Sequence, residues 1–110
     1  DPNPNGKFFH AIKAEQVACL EGLIDSHEAE VGPLTSFILP GGCPQAAWLH
    51  LARTVCRRAE RLVVHLTKQP EGHVAPDLLI YLNRLSDLLF VFARVANHRA
   101  SVADVPWKGL

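Results

Sequence analysis

The chain has 110 residues, 48% hydrophobic and 20% charged, so it is long and apolar enough for one globular core and too apolar for disorder. Eleven Lys and Arg balance eleven Asp and Glu, which argues against nucleic acid or an acidic membrane as partner. Residues 1–110 contain no apolar signal segment and no stretch of the roughly 18 apolar residues that a membrane span needs. We expect a single domain, and its odd number of widely spaced cysteines favours a reducing, cytoplasmic setting.

The first predicted element is a helix over residues 12–31. The Gly32-Pro33 pair ends it, and Pro2 and Pro4 keep the preceding residues extended. Its inner positions recur at steps of three and four, and acidic residues fill the outer ones. Gly22 inside the helix costs about 1 kcal/mol relative to Ala, so the helix needs tertiary support.

A short apolar run, Phe37-Ile38-Leu39, follows between helix breakers. It is too short for a helix, and it either packs as a lid over the end of the helices or forms the apolar wall of a site for a flat organic ligand. The glycines Gly41 and Gly42 after it belong to no G-x-x-x-x-G-K-[ST] or G-x-G-x-x-G motif, so nucleotide binding by those loops is excluded.

The second helix is predicted from Pro44 to about residue 66, and it has two contrasting sides. One side carries Arg53, Arg57, Glu60 and Arg61, which suits a polyphosphate because guanidinium groups bind phosphate oxygens two at a time. An ordinary solvated face is the alternative. The opposite side is apolar and is the predicted core face, formed by Ala52, Val55, Ala59, Leu62 and Leu66.

The third helix, predicted from Pro76 to about residue 97, shows the most regular pattern. Its apolar seam alternates steps of four and three and consists of Leu78, Leu82, Leu85, Leu89, Phe92 and Ala96. A second stripe at the same spacing mixes Asn83, Asp87, Phe90 and Arg94. The aromatic in this stripe suggests a second contact surface, toward a ligand or another subunit, although a single exposed Phe is also common.

Charge is uneven along the chain. Residues 1–31 carry two Lys against six Asp and Glu, whereas residues 48–66 carry four Arg against one Glu. The acidic first helix and the basic second helix are therefore candidates to pair, within or between subunits. In that case the chain would be a plain helical assembly domain.

Neither cysteine nor histidine spacing indicates a metal site. Cys19, Cys43 and Cys56 are odd in number and form no C-x-x-C pair, and no two of the six histidines stand one helical turn apart. We expect Cys19 and Cys56 to be buried in helix contacts, whereas Cys43 lies in a loop and is a candidate for exposure.

Three segments, in this order and spacing, resemble the PduO-type ATP:cob(I)alamin adenosyltransferases. They are Thr-Ser-Phe-Ile-Leu-Pro-Gly-Gly at residues 35–42, Leu-His-Leu-Ala-Arg-Thr-Val-Cys-Arg-Arg-Ala-Glu-Arg at 49–61 and Tyr-Leu-Asn-Arg-Leu-Ser-Asp-Leu-Leu-Phe at 81–90. The resemblance implies an all-α helical bundle with ferritin-like up-down packing, assembled as a homotrimer. It also implies transfer of the 5′-deoxyadenosyl group of ATP to the cobalt of cob(I)alamin, with ATP and the corrinoid bound at subunit interfaces.

The resemblance assigns roles to the nucleotide side of the site. Arg57 matches the catalytic arginine that contacts the ATP phosphates, and Glu60 and Asn83 match residues that line the ATP site. Arg53 matches an arginine that forms a salt bridge across the subunit interface. Together with Mg²⁺, Arg57 would stabilise the departing triphosphate, and no side chain need act as a general base.

The resemblance also assigns a corrin side. Phe37 matches a catalytic aromatic that crowds the lower face of the corrin and expels its lower axial ligand, which makes reduction to nucleophilic Co(I) easier. Phe90 matches a second apolar wall of the cobalamin pocket, and Trp107 corresponds to family tails that fold over the corrin. A reductase and a B12-dependent acceptor enzyme are further possible partners.

The family's N-terminal Thr-Gly-Asp-x-Gly loop and the two helices after it have no counterpart in this sequence. We therefore expect residues 1–110 to be the C-terminal part of a cobalamin adenosyltransferase domain, either a fragment or a natural short form. Three helices without the others would expose apolar surface. The alternative to a complete enzyme is a catalytically incomplete corrinoid-binding or assembly module.

Overall fold

The computed structural model describes residues 12–34, 36–72, 74 and 76–107, which form three long helices and a short two-stranded ribbon. In chain order the elements are α1 (Ala14–Val31), β1 (Ile38–Leu39), α2 (Pro44–Thr67), α3 (Pro76–Arg99) and β2 (Val105–Pro106). The three predicted helices are confirmed, each within two residues of its expected ends.

Local chemistry explains where the helices begin and end. The backbone N–H of Lys13 donates to Oε1 of Gln16 at 2.8 Å, which satisfies one free donor at the start of α1. Gly32, with φ of 75°, ends the same helix, and its N–H donates to the carbonyl of Glu28 at 2.8 Å. Pro44 and Pro76 occupy the first positions of α2 and α3, where a missing N–H costs nothing.

The helices form one layer with α3 in the middle. α3 packs on α2 along one side and on α1 along another, whereas α1 and α2 make no close backbone contact with each other within the described ranges. Four contacts between helices show the relative directions of the helix axes: Cys43 with Asn97, Glu60 with Asn83, Glu21 with Arg84 and Glu30 with Arg99. α2 therefore runs antiparallel to α3, and α1 runs parallel to α3. The up-down packing implied by the resemblance is confirmed.

The apolar stripe of α2 faces solvent. Val55 and Leu62 are each 59% exposed, and the same surface carries Trp48, Leu51 and Leu66. The prediction that this stripe is the core face was wrong. α2 packs on α3 through its other side, where Ala46, His50 and Cys56 are buried. The expected exposure of apolar surface is found on this helix.

α3 lies between two neighbours, and all six residues of its predicted apolar seam are only half-buried. The most buried residues of α3 are Ser86, Leu88, Val91, Ala93, Arg94, Val95 and Asn97. The second predicted stripe is not a free surface toward a ligand or subunit along its whole length: Arg94 is only 5% exposed, and Asn83 and Phe90 contact α2. Asp87 is the exposed member.

The ribbon was not predicted. β1 and β2 pair antiparallel, with Ile38 opposite Pro106 and Leu39 opposite Val105. Trp107 then donates its backbone N–H to the carbonyl of Phe37 at 2.8 Å. The apolar run after α1 is thus held by the tail after α3.

Two acidic residues of α1 pair with α3, and among the described residues no acidic residue of α1 forms an ion pair with an arginine of α2. Glu21 contacts Arg84 at 2.9 Å, and Glu30 accepts two hydrogen bonds from Arg99, at 2.8 and 3.0 Å. The hydrogen bond to Arg99 is the main reason that the pKa of Glu30 is lowered. The hypothesis that the acidic first helix neutralises the basic second one within the chain was therefore wrong for these pairs.

Two cysteines differ from expectation. Cys19 is exposed and Cys43 is only 7% exposed, whereas Cys56 is buried as predicted. Cys43 packs with Ala46 and Ala93, beside Leu49 and Ala96, because the turn before α2 folds onto the end of α3. None of the helices in the described part of the chain is long and apolar enough to cross a membrane.

Candidate functional site

Arg57, Glu60 and Arg61 lie together on one edge of α2, as their spacing predicts. With Val64 they line an open groove of about 250 Å³. Positions 57, 60, 61 and 64 are linked by steps of three and four residues, about one helical turn each, so their side chains share a surface. Two guanidinium groups beside one carboxylate form a surface that attracts an anion and can also accept from a hydroxyl.

Glu60 connects this groove with α3. Asn83 donates from Nδ2 to Oε2 of Glu60 at 3.3 Å, across the contact between the two helices. The same two residues line a second groove of about 440 Å³, whose remaining lining is Arg84 and the apolar side chains of Pro76, Leu79 and Ile80. Glu60 therefore borders both a cationic groove and one that is largely apolar with a polar end.

Arg84 is a site residue that the sequence patterns did not single out. Its Nη1 donates to Oδ1 of Asn83 at 2.6 Å, and its Nε donates to Oε2 of Glu21 at 2.9 Å. Asn83 and Arg84 are consecutive residues, which do not face each other along an ideal helix surface, so spacing gives no signal for this bond. The segment 81–90 contains Arg84, but no role was assigned to it.

Arg53 lies outside the Arg57 groove, although the sequence places both arginines on one side of α2. Its guanidinium carbon is 4.9 Å from the centre of the Phe90 ring, which is a cation–π contact. Its Nε is buried, with no hydrogen-bond partner among the described residues. Burial, and then repulsion from Arg57, lowers the pKa of Arg53, while Asp87 raises it.

His50 is the other neighbour of Phe90. The two rings meet edge to face with centroids 5.9 Å apart, and His50 is only 4% exposed. Burial, and then repulsion from Arg53, lowers the pKa of His50, while Asp104 raises it. Phe90 is thus held between two nitrogen-bearing side chains of α2, and only Arg53 of these two was a candidate from the sequence.

Phe37 and Trp107 lie at the other end of the helix layer, near the start of α2. Phe37 is 79% exposed and Trp107 is 53% exposed. The hydrogen bond between their backbones keeps the two residues side by side at the end of the ribbon. Arg57 is 13 residues into a helix that begins at Pro44, so about 20 Å of helix separates the aromatic pair from the cationic groove.

One buried amide anchors the aromatic pair to the helices. Asn97, which is 1% exposed, accepts from the N–H of Cys43 at 2.8 Å and donates to the carbonyl of Gly41 and the carboxylate of Asp104, both at 3.1 Å. Arg94 adds an ion pair with Asp104, with Nε and Oδ2 3.5 Å apart. The turn after β1 and the segment before β2 are therefore fixed to the same residue of α3.

The structure brings some of the predicted site residues together and separates others. Arg57, Glu60 and Asn83 form one cluster between α2 and α3, and Phe37 and Trp107 form another on the ribbon. Phe90 and Arg53 lie between these two clusters along α2 and α3. The chain thus presents a cationic end and an aromatic end, joined by the α2–α3 contact.

Comparison with known proteins gives a consistent set of relatives. The family model described as cobalamin adenosyltransferase matches residues 2–96. A corrinoid adenosyltransferase of Bacillus subtilis (strain 168) is 48% identical over 99 residues, which are 90% of this chain and 50% of the relative. A cobalamin adenosyltransferase of Cupriavidus metallidurans is 50% identical over 100 residues, 91% of this chain and 53% of the relative. The chain spans about half the length of these curated relatives.

Solved structures of similar proteins agree. A phenylalanine-to-alanine variant of the PduO-type ATP:corrinoid adenosyltransferase from Lactobacillus reuteri, complexed with cobalamin and ATP, superposes with a TM-score of 0.84 at 36% identity. The superposition covers 99% of this chain and 60% of that one. An arginine-to-lysine variant of the Lactobacillus reuteri enzyme, complexed with ATP, gives a TM-score of 0.83 at 39% identity over 91% of this chain and 56% of that one.

Proposed function

The chain belongs to the cobalamin adenosyltransferase family, and on that premise we propose that it transfers the 5′-deoxyadenosyl group of ATP to the cobalt of cob(I)alamin. The observation that carries the proposal is the cluster of Arg57, Glu60 and Asn83. These are the three residues that resemblance assigns to ATP, and two different helices bring them to one place.

The reaction is a nucleophilic substitution at carbon. The lone pair of Co(I) in the corrinoid substrate forms the Co–C5′ bond, the C5′–O bond breaks, and its electrons leave with triphosphate. Cobalt is formally oxidised from Co(I) to Co(III) in this substitution. A reductase must act beforehand, because it supplies the electron that converts Co(II) to the attacking Co(I) state. Arg57 stabilises the negative charge on the leaving triphosphate, and Glu60 and Asn83 orient the nucleotide for in-line attack.

Mg²⁺ fits this site as a companion of ATP. Magnesium bound to nucleotides takes phosphate oxygens and water together with one or two carboxylates, and Glu60 is the carboxylate that lines the groove beside Arg57. No cluster of three or more His, Cys, Asp or Glu that could hold a metal ion occurs among the described residues. Bound Mg²⁺ would neutralise phosphate charge, while the protein contributes Arg57 and the position of Glu60.

The aromatic end suits the corrin. Phe37 is exposed enough for its ring to press on the lower face of a corrin, and Trp107, which lies beside it, offers a second ring. Phe90 would form an apolar wall between the two ends of the site. We propose that the chain acts in the cytoplasm as part of a homotrimer, in which Arg53 pairs with a carboxylate of the next subunit and the product passes to a B12-dependent enzyme.

The test is ATP-dependent formation of adenosylcobalamin from chemically reduced cobalamin, followed by its optical spectrum. Arg57→Ala should lower kcat/KM by about 100-fold or more, because one charged donor to the leaving group is lost. Arg58→Ala is the matched control. It removes the same charge one residue along, 100° around the helix, on an exposed position. Equal losses in both variants would contradict the proposal, because they would indicate a general effect of charge.

A second optical measurement tests the residues proposed to contact the corrin. Phe37→Ala should weaken the spectral change that accompanies loss of the lower ligand when Co(II)balamin binds with ATP. Because Phe37 is 79% exposed, its removal should leave the free energy of unfolding nearly unchanged. If the variant showed the same spectral change on binding as the unsubstituted protein, the proposed role of Phe37 and the ribbon would be contradicted.

A further inference from the structure

A chain of hydrogen bonds runs across all three helices and ends at the proposed nucleotide site. Glu21 of α1 accepts from Arg84 at 2.9 Å, Arg84 donates to Oδ1 of Asn83 at 2.6 Å, and Nδ2 of Asn83 donates to Glu60 of α2 at 3.3 Å. Since α1 and α2 make no close backbone contact with each other within the described part, this series of hydrogen bonds is a physical link between them.

The bond from Arg84 fixes which way the amide of Asn83 points. A guanidinium can only donate and an ionised carboxylate can only accept, so Oδ1 of Asn83 must face Arg84 and Nδ2 must face Glu60. Without Arg84, Oδ1 loses its protein donor, and the 3.3 Å hydrogen bond from Nδ2 to Glu60 is left to orient the amide. The position of the Glu60 carboxylate would then be less well defined.

Arg84 lies where it can do this without filling the site. Its side chain is 35% exposed and borders the groove of Glu60 and Asn83 on one side. On the other side it borders a polar groove lined by Glu21, Asp25 and Asp87. The Glu21 carboxylate therefore holds the guanidinium from the side of α1, while its Nη1 is directed to Asn83.

A clamp between α1 and α3 is the competing role for Arg84. Partly exposed ion pairs contribute little to folding stability, and the Glu21 side chain is 49% exposed. Arg99 and Glu30 form a second, bidentate ion pair between the same two helices, at the opposite end. If clamping were the whole role of Arg84, the two pairs would be equivalent.

We propose that Arg84 is a positioning residue for ATP: it orients the amide of Asn83, and through that amide the Glu60 carboxylate, while Glu21 holds Arg84 in place. This inference rests on the proposed function. It adds an α1–α3 ion pair to the nucleotide site, so that α1, which carries none of the residues assigned to ATP, affects nucleotide affinity.

The experiment compares Arg84→Met with Arg99→Met, which removes the same chemical group from the other α1–α3 pair. ATP binding by calorimetry, KM for ATP and for cobalamin, and helical content by circular dichroism are measured for both variants and for the unsubstituted protein. Arg84→Met should raise the Kd and KM for ATP roughly tenfold, the effect of about one lost hydrogen bond, with KM for cobalamin unchanged. Arg99→Met should leave the Kd and KM for ATP and the KM for cobalamin unchanged.

Two further variants separate positioning from folding. In an Asn83→Ala background, Arg84→Met should add no further loss of ATP affinity, because the amide that it orients is gone. Arg84→Lys keeps a donor and should restore part of the affinity if Arg84→Met folds poorly. Equal effects of Arg84→Met and Arg99→Met, or full additivity with Asn83→Ala, would overturn the inference alone. Absence of ATP binding by the unsubstituted protein would overturn the proposed function and this inference with it.

Discussion

At the scale of single residues, burial of His50 should make folding stability depend on pH. Burial and repulsion from Arg53 lower the pKa of His50, while Asp104 opposes this shift. The unfolded chain therefore takes up a proton near the ordinary pKa of 6.5, while the folded chain keeps a neutral ring. The stability that the neutral ring of His50 contributes is fully present above about pH 6.5 and is lost as pH falls toward the folded pKa. The total loss is about 1.4 kcal/mol for each unit by which folding lowers the pKa.

Urea unfolding between pH 8 and pH 5 measures the effect. His50→Gln should flatten the decline of the unfolding free energy below pH 6.5, however much the substitution lowers that free energy at pH 8. His98→Gln, at an exposed position of α3, serves as the control and should leave the decline in place. A decline of the same steepness in His50→Gln would show that another group is responsible.

Arg53 shows what spacing can and cannot predict. Arg53, Arg57, Glu60 and Arg61 share one side of α2, as predicted, because helical geometry alone sets that relation. Whether each position meets solvent, another helix or an aromatic ring depends on which helix packs there. Arg53 therefore differs from Arg57: it lies over Phe90, 37 residues away in the chain, and that contact has no signal in local sequence.

At the scale of elements, the turn between β1 and α2 depends on a close approach of backbone to the Asn97 side chain. Gly42 has φ of 108°, and a Cβ there would collide with the Asn97 amide. Gly42→Ala should lower the free energy of unfolding by about 2–4 kcal/mol, from backbone strain and overpacking together. Gly22→Ala is the matched change inside α1, where a Cβ meets nothing within 4 Å, and it should raise stability by about 0.5–1 kcal/mol.

Thermal and urea unfolding of the two variants, monitored by circular dichroism, measure these opposite signs. If Gly42→Ala were neutral, the Asn97 amide would not hold this turn in solution. The comparison is functionally relevant because this turn joins α2 to β1, and Phe37 directly precedes β1. A loosened turn should raise KM for cobalamin more than KM for ATP, since the ATP cluster lies about 20 Å away along α2.

Prediction at the element scale succeeded where breakers define an end and failed where contacts are distant in sequence. Gly32, Pro44 and Pro76 fix the helix boundaries through their own backbone chemistry, and the helices were predicted correctly. Cys43 was expected to be a candidate for exposure because it follows two glycines in a loop. It is buried because Asn97, 54 residues later, binds its N–H. A contact of that kind cannot be read from local spacing.

At the scale of the whole molecule, the described helices form an open layer. α3 covers one side of each neighbour, and the side of α2 that carries Trp48, Val55 and Leu62 remains exposed. Sequence periodicity identified this stripe correctly as apolar but assigned it to the core. Periodicity shows that a face avoids water, and it does not show which element covers it. The up-down order was predictable from the resemblance, whereas the choice of packing face was not.

This exposure gives a prediction for the chain as a whole. If the stripe faces water in solution, the protein should bind the dye ANS strongly, because such dyes report exposed apolar surface. Leu62→Lys, at a position 59% exposed, should reduce dye binding and change the free energy of unfolding by no more than about 0.5 kcal/mol. Leu88→Ala is the contrasting change: Leu88 is 4% exposed in α3, and its truncation should cost about 2–5 kcal/mol.

Fluorescence titration with the dye and urea unfolding of both variants measure the two effects separately. The informative result would be a large loss of stability in Leu62→Lys, similar to that of Leu88→Ala. It would mean that the stripe is buried in solution, so that the protein folds as an assembly. The midpoint of unfolding would then rise with protein concentration, because association stabilises the folded form by mass action. An exposed stripe instead gives strong dye binding, and the lysine at position 62 then changes the free energy of unfolding by almost nothing.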